Sequence, residues 1–255
     1  KIGYGIKSGF DEAFIIDLKT KNEIVIKDKK SEEIIKPYLN GRDIKRYQII
    51  PKNKFIIYTK HGIDIKKYPA IEEYLKKYKS RLLQRATRQE WFELQQPQYN
   101  YFDFFINPKI IYPDIASEPR FAYDEESFFG ATTIFIIPMK DLYLLGLLNS
   151  KIGALYFSNV CAALEGKNEK YLRFKRQYLL GFPVRIINFS DPIDVVHHDH
   201  LVTLVEQMLT LHNQSAAAKL PGEQERIQRE IEMTDRQIDK LVYELYGLSE
   251  EEIKI

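Results

Sequence analysis

Residues 142–184 read LYLLGLLNSKIGALYFSNVCAALEGKNEKYLRFKRQYLLGFPV, and the change of character inside this stretch organises the reading of the whole chain. The first half, 143–164, is apolar with helical spacing: Leu144, Leu147 and Leu148, then Ile152, Leu155 and Tyr156. Asn149-Ser150 interrupts the run and predicts a junction, with one of the two capping a second helix. After the break at Glu165-Gly166-Lys167-Asn168 the chain turns basic and aromatic. Lys167, Lys170, Arg173, Lys175 and Arg176 interleave with Tyr171, Phe174 and Tyr178, and Phe182-Pro183-Val184 closes the stretch. Clustered cations gain affinity for a polyanion by releasing its counterions. Arginine can also read guanine in the major groove and a glutamine such as Gln177 can read adenine. The plainer reading of the same residues is a solvated basic helix. The first half reads as scaffold and the second as a segment offered to nucleic acid.

Upstream, Gly3, Gly5 and Gly9 punctuate the start around Lys7, a weak signal for a phosphate cradle. Residues 13–18 and 23–27 read as two strands of a hairpin. Ser31 with Glu32 and Glu33 predicts a helix that stops before Pro37, and Asn40-Gly41 a turn. Residues 55–59, 109–112, 120–123 and 132–137 read as further strands, with 89–108 as a long aromatic loop. Between them, 3–4 spacing of Ile71, Tyr74, Leu75, Tyr78 and Leu82 predicts one helix over 68–87. Two more basic clusters lie here: Arg42, Lys45 and Arg46 in GRDIKRY, and Arg81, Arg85, Arg88, Gln89 and Trp91.

Downstream, composition shifts after Asp191-Pro192. One apolar stripe runs through Leu201, Leu204, Val205, Met208 and Leu211; another, heptad-like, through Ile227, Ile231, Thr234, Ile238, Leu241 and Leu245. With a connection over 213–222 these predict an antiparallel helical hairpin. Ser249 and Glu252 have the spacing of a capping box. The expected organisation is α+β: a β-rich lobe with framework helices over 1–190, then a helical region over 191–255.

The totals constrain function more than they assign it. The 255 residues carry a formal net charge of +2, so a nucleic-acid reading rests on where the charges cluster. One cysteine allows neither a disulfide framework nor a cysteine metal site, in keeping with the cytoplasm. No stretch reads as a signal peptide or a membrane span. The start at Lys1 without Met reads as a fragment whose catalytic machinery lies upstream. Asp114 and Glu118 hint at a nuclease carboxylate pair, but Arg120 stands where a lysine belongs. His197-His198-Asp199-His200 hints at metal and reads more simply as the start of a helix.

Six segments resemble a known family in order: GIKSGFDEAFIID (5–17), IIKPYLNGRDIKRY (34–47), YPAIEEYLKKYKSRLLQR (68–85), PKIIYPDI (108–115), LLGLLNSKIGALYF (144–157) and LVYELYGLSEEEI (241–253). They are similar to the TaqI-like C-terminal specificity domain of bacterial type II and IIG restriction-modification enzymes that methylate adenine. The resemblance implies a target recognition domain for double-stranded DNA, covalently linked to an N-terminal methyltransferase domain and working in the cytoplasm on the nucleoid. It implies S-adenosylmethionine in that other domain and no cofactor, metal or catalysis here. The family's catalytic N-P-P-[YF] motif is absent, since Asn107-Pro108-Lys109-Ile110 departs from it at the third and fourth positions. Candidate DNA contacts are Lys7, Arg42, Lys45, Arg46, Arg81, Arg85, Arg88, Trp91, Lys167, Lys170, Arg173, Lys175, Arg176 and Gln177. A rival from another class is a protein-interaction module that docks a methyltransferase or nuclease through its C-terminal helices.

Overall fold

The computed structural model describes residues 1–166 and 170–254. In chain order the elements begin β1 (Gly3–Tyr4), α1 (Asp11–Phe14), β2 (Ile15–Asp17), α2 (Leu18–Lys27), β3 (Ile35–Leu39), β4 (Ile44–Lys45), β5 (Gln48–Ile49), β6 (Lys54–Ile57), α3 (Pro69–Lys76), α4 (Lys79–Leu82) and α5 (Phe102–Ile106). They continue β7 (Lys109–Pro113), β8 (Ile115–Ala116), β9 (Ala122–Asp124), β10 (Phe129–Gly130), β11 (Ile134–Ile137), α6 (Leu142–Asn149), α7 (Lys151–Val160), β12 (Ala162–Glu165), β13 (Lys170–Arg173), α8 (Arg176–Leu180), α9 (Pro192–Ala217) and α10 (Pro221–Leu245). Small sheets and a long helical pair make the class α+β.

Two compact units share the chain. The first takes Lys1–Asp43, Ile50–Lys109 and Asp124–Pro138; the second takes Ile44–Ile49, Ile110–Tyr123 and Met139–Ile255. Compactness therefore divides the chain elsewhere than at residue 190, and places the helical pair with α6 and α7.

In the first unit a sheet runs in the order β10-β3-β6-β2. β3 pairs antiparallel with β6 and parallel with β10. Ile35, Ile56 and Ile57 are buried in it. The hairpin expected over 13–27 is absent. β2 pairs with β6, Ile15 opposite Ile56 and Asp17 opposite Lys54. It ends at Asp17, whose carboxylate accepts the Thr20 amide at 2.8 Å and starts α2. The β-branched run of 23–27 imitates a strand, yet within it only Ile24 is buried, and Ile26 is 85% exposed. The cap at Asp17, six residues upstream, outweighs that local pattern. The helix expected over 68–87 is two short helices broken at Lys77-Tyr78, where Tyr78 takes φ −106°, ψ 0°. The loop over 89–108 contains α5. The first residue of β7, Lys109, is 1% exposed. The ammonium lies 2.5 Å from the Asp124 carboxylate and donates to the Phe105 carbonyl at 2.7 Å. Asp124 also accepts the Glu126 and Phe128 amides, so the buried pair is satisfied on both sides.

In the second unit Ser150 caps α7 as expected. Its hydroxyl accepts from the Gly153 amide at 3.2 Å and donates to the Leu147 carbonyl at 2.8 Å. Asn149, 3% exposed, bonds both ways to Phe121, amide to side-chain oxygen at 3.1 Å and side-chain nitrogen to carbonyl at 2.9 Å. It thus satisfies both backbone groups of Phe121, the residue before β9, while Ser150 does the capping. α6 packs on α9 so closely that a Cβ on Gly146 would stand 2.9 Å from Val205 Cγ2. Phe157 stacks on Phe182 at 5.7 Å and meets Phe174 at 5.3 Å, so the tail of the opening stretch is core. α9 and α10 form the expected hairpin, with helix to Ala217 shortening the loop. The predicted stripe Leu201, Leu204, Val205, Met208 and Leu211 is buried. Burying each such side chain contributes about 1.5–3 kcal/mol. The Ser249–Glu252 capping box forms as read, with the Glu252 carboxylate on the Ser249 amide at 2.9 Å. Among the described residues, no helix is long and apolar enough to cross a membrane.

Candidate nucleic-acid interface

The segment 6–12 forms one wall of an open groove of about 470 Å³ in the first unit, lined also by Tyr38, Asn40, Gln95, Thr132 and Thr133. Its backbone is pinned on both sides. The Ile6 amide donates to Gly130 at 2.7 Å, and Lys7 exchanges backbone bonds with Gln96 at 3.1 and 2.8 Å. Gly5 permits this approach, because a Cβ there would stand 1.9 Å from the Ala131 carbonyl. Gly9 turns the chain at φ +81°. The Ser8 hydroxyl donates to Asp11 and accepts the Phe10 amide. Lys7 is left exposed. The groove thus collects an ammonium, two side-chain amides, hydroxyls and the carboxylates of Asp11 and Glu12 on a fixed backbone. Those groups match base edges: paired amides suit adenine and lysine suits the guanine acceptors.

Two more predicted cations stand by this groove. The Arg81 guanidinium lies 5.1 Å from the ring of Phe10, which lines it. Exposed Arg42 follows Gly41, whose amide donates to Thr133 Oγ1 at 3.2 Å. Arg88 is exposed further along, and Trp91 is half-buried with Lys79 Nζ over its ring at 5.2 Å.

Arg85 is otherwise employed. Its Nε donates to Leu82, its Nη1 to Ser8 and Glu93, and its Nη2 to Glu90 and Trp91, all backbone carbonyls at 2.8–3.2 Å. A guanidinium has five N–H donors, and all five are committed. Arg85 ties the 90–93 turn to the segment that carries Lys7, and no donor is left for phosphate. Arg46, in the second unit, is likewise committed. It grips Asp235 of α10 with both terminal nitrogens, at 2.8 and 2.5 Å, and donates from Nε to the Asn149 carbonyl at 2.8 Å. Beside it, Tyr47 stacks on His212 at 6.4 Å, and Asp239 accepts the Lys151 amide at 2.8 Å. Burial and Arg46 hold His212 below the usual histidine range, while burial pushes the Asp239 carboxyl up. Both arginines act as internal braces here. Lys45 is half-buried in β4.

The second unit presents its own basic surface. β12, β13 and β8 form an antiparallel three-stranded ribbon, with Leu172 opposite Ala116. Lys170 is exposed on it. Arg173 is turned onto the Asp114 carboxylate at 3.3 Å. Phe174, 3% exposed, anchors the chain in the core, and Lys175, Arg176 and Gln177 follow exposed at the start of α8. The basic, aromatic segment is therefore a strand, an anchor and one short helix, where the plainer reading had a single solvated helix. Lys167 lies outside the described residues.

Among the described residues the metal and nuclease readings find no supporting geometry. Asp114 is paired with Arg173, and Glu118 lies 3.4 Å from Arg120. Among the described residues no group of three or more His, Cys, Asp or Glu is placed to hold a metal ion. His198 bonds Asp199 at 2.9 Å and packs on Tyr143. Cys161 is buried just past α7, where burial pushes its thiol up to about 11. Asn40, Gln95, Thr132 and Thr133 escaped the sequence reading, because isolated polar residues carry no spacing signal. The turn at Asn40-Gly41 was the only pointer to any of them.

Small sheets, short helices and one long helical pair, with cations and amides on pinned loops, make up this α+β chain. The family model of the TaqI-like C-terminal specificity domain matches residues 36–184, more than half of the sequence. The chain belongs to this family. The type II methyltransferase M.MjaIV of Methanocaldococcus jannaschii is 30% identical over 207 residues, 76% of this chain and 66% of that protein. The type II methyltransferase M.BanIII of Aneurinibacillus aneurinilyticus is 26% identical over 203 residues, 71% of this chain and 33% of that protein. In fold, the chain is similar to the type IIL restriction-modification enzyme MmeI solved in complex with DNA: TM-score 0.68 at 16% identity, covering 98% of this chain and 33% of that one. The chain spans between one third and two thirds of the length of these relatives.

Proposed function

We propose that the chain reads a base sequence in double-stranded DNA and holds that site for an adenine-N6 methyltransferase domain of the same parent protein. The observation that carries this reading is the first unit's groove, where Lys7, Asn40 and Gln95 meet on a backbone fixed by Arg85 and Gly5. A pinned backbone lets those side chains choose between base edges, because a mismatched pair leaves a donor or acceptor unmet. Arg42, Arg81, Arg88, Lys170, Lys175 and Arg176 supply phosphate contacts that set register. Methyl transfer, S-adenosylmethionine and any DNA cleavage belong to other parts of the parent, which works in the cytoplasm on nucleoid DNA. The relatives named methyltransferases, each longer than the matched region, support that division of labour. The docking alternative is weaker for the helical pair, whose apolar stripes are buried against each other and α6.

Selection of bound duplexes from a random pool tests the proposal. A defined consensus is expected, and Gln95→Ala should relax it at one position. Loss of specificity at every position alike, or no enrichment, would overturn the reading.

A further inference from the structure

A second cavity in the first unit, of about 450 Å³, shares no lining residue with the groove. Its size is that of a small-molecule site. The walls are aromatic: Tyr58, Tyr68, Tyr99 and Phe102. Tyr58 is 4% exposed and rigid, its hydroxyl donating to the Pro97 carbonyl at 2.9 Å and its ring packed on Phe129 at 5.2 Å. Tyr99 is 59% exposed, a large ring left open to solvent. Lys36 and Lys60 also line the cavity, and neither is in an ion pair among the described residues. Glu33 stands there too, accepting from the Tyr68 hydroxyl at 3.2 Å.

Aromatic faces beside unpaired ammonium groups fit a planar ring that carries a negative charge. Stacking of a base on an aromatic side chain is sequence-tolerant and requires the base to be outside a duplex stack. A lone carboxylate beside such a ring accepts from an exocyclic amine, which adenine and cytosine have and thymine lacks. We infer that this cavity binds one unstacked nucleotide, its base against Tyr99 and Tyr68 and its phosphate at Lys36 and Lys60. The nucleotide comes from a single strand or from solution, and the two sources share this chemistry.

The test titrates the whole chain with deoxyadenosine 5′-monophosphate, thymidine 5′-monophosphate, inorganic phosphate and a short oligodeoxyadenylate, following backbone amide shifts. The adenine nucleotide should shift residues 58–63 and 99–102, and bind several-fold more tightly than the thymine nucleotide. Phosphate alone should not produce this pattern. Tyr99→Ala and the double variant Lys36→Ala, Lys60→Ala should each weaken binding about tenfold while the urea midpoint stays unchanged. Tighter binding of the oligomer marks a strand as the source, and equal binding marks the free nucleotide. No adenine-dependent shift, or unaltered affinity in both variants, would overturn the inference. Duplex selectivity should survive Tyr99→Ala, so failure here is separable from failure of duplex reading.

Discussion

At the scale of single residues, charge was legible and its employment was not. Arg42 and Arg85 read alike in sequence, as basic side chains near other basic side chains. One is exposed, and the other has every donor on a carbonyl. What separates them is the company of Ser8, Glu90, Trp91 and Glu93, assembled by folding. Lysine offers three donors without the planar fork, so Arg85→Lys should be a poor replacement. We expect it to cost about 2 kcal/mol, read from the urea midpoint, since several hydrogen bonds to a charged group are lost together. Arg42→Lys should leave that midpoint unchanged. His212 adds a pH dependence. Burial, then Arg46, depresses its folded pKa. A base so shifted binds its proton more readily unfolded than folded. Its contribution is therefore intact above about pH 6.5, the unfolded value, and is lost as pH falls below it. His212→Phe keeps a ring on Tyr47 and should flatten the decline in urea midpoint between pH 7.5 and pH 5.

At the scale of elements, repetition was the reliable signal. The long pair α9 and α10 was plain in the sequence because a stripe sustained over many turns leaves one packing solution. Short elements fell to rules the stripe does not contain. The false hairpin over 13–27 came from the β-branched run Ile24-Val25-Ile26, against an aspartate cap that made the segment helical. The opening stretch was split correctly at Asn149-Ser150, but its apolar half was read as helical to residue 164, whereas α7 ends at Val160 and a strand follows over Ala162–Glu165. Glycine inside α6 looks like a defect, worth about 1 kcal/mol against alanine by propensity alone. The contact with Val205 reverses the sign. Gly146→Ala should destabilise by about 1–3 kcal/mol through overpacking. Pairing it with Val205→Ala should recover part of the loss, measured as non-additivity of thermal midpoints.

At the scale of the whole molecule, the family was legible from six ordered segments, whereas the groove was not. Asn40, Gln95 and Thr132 stand far apart in sequence and meet only in the fold. The two basic surfaces give a quantitative expectation. Each phosphate contact contributes about 0.9 to the slope of log affinity against log salt. Removing Lys170, Lys175 and Arg176 together should lower that slope by up to about 2–3 without changing the selected sequence. Removing Lys7 should change the sequence more than the slope. One feature of the chain's path reaches beyond binding. The first unit is assembled from Lys1–Asp43, Ile50–Lys109 and Asp124–Pro138, so the two units are interleaved along the gene. A single genetic crossover within residues 1–138 cannot exchange one unit and spare the other. New specificities in such a protein should then spread by point changes at groove positions or by inheritance of the entire module. A designer who wishes to graft the reading surface must transplant three segments at once.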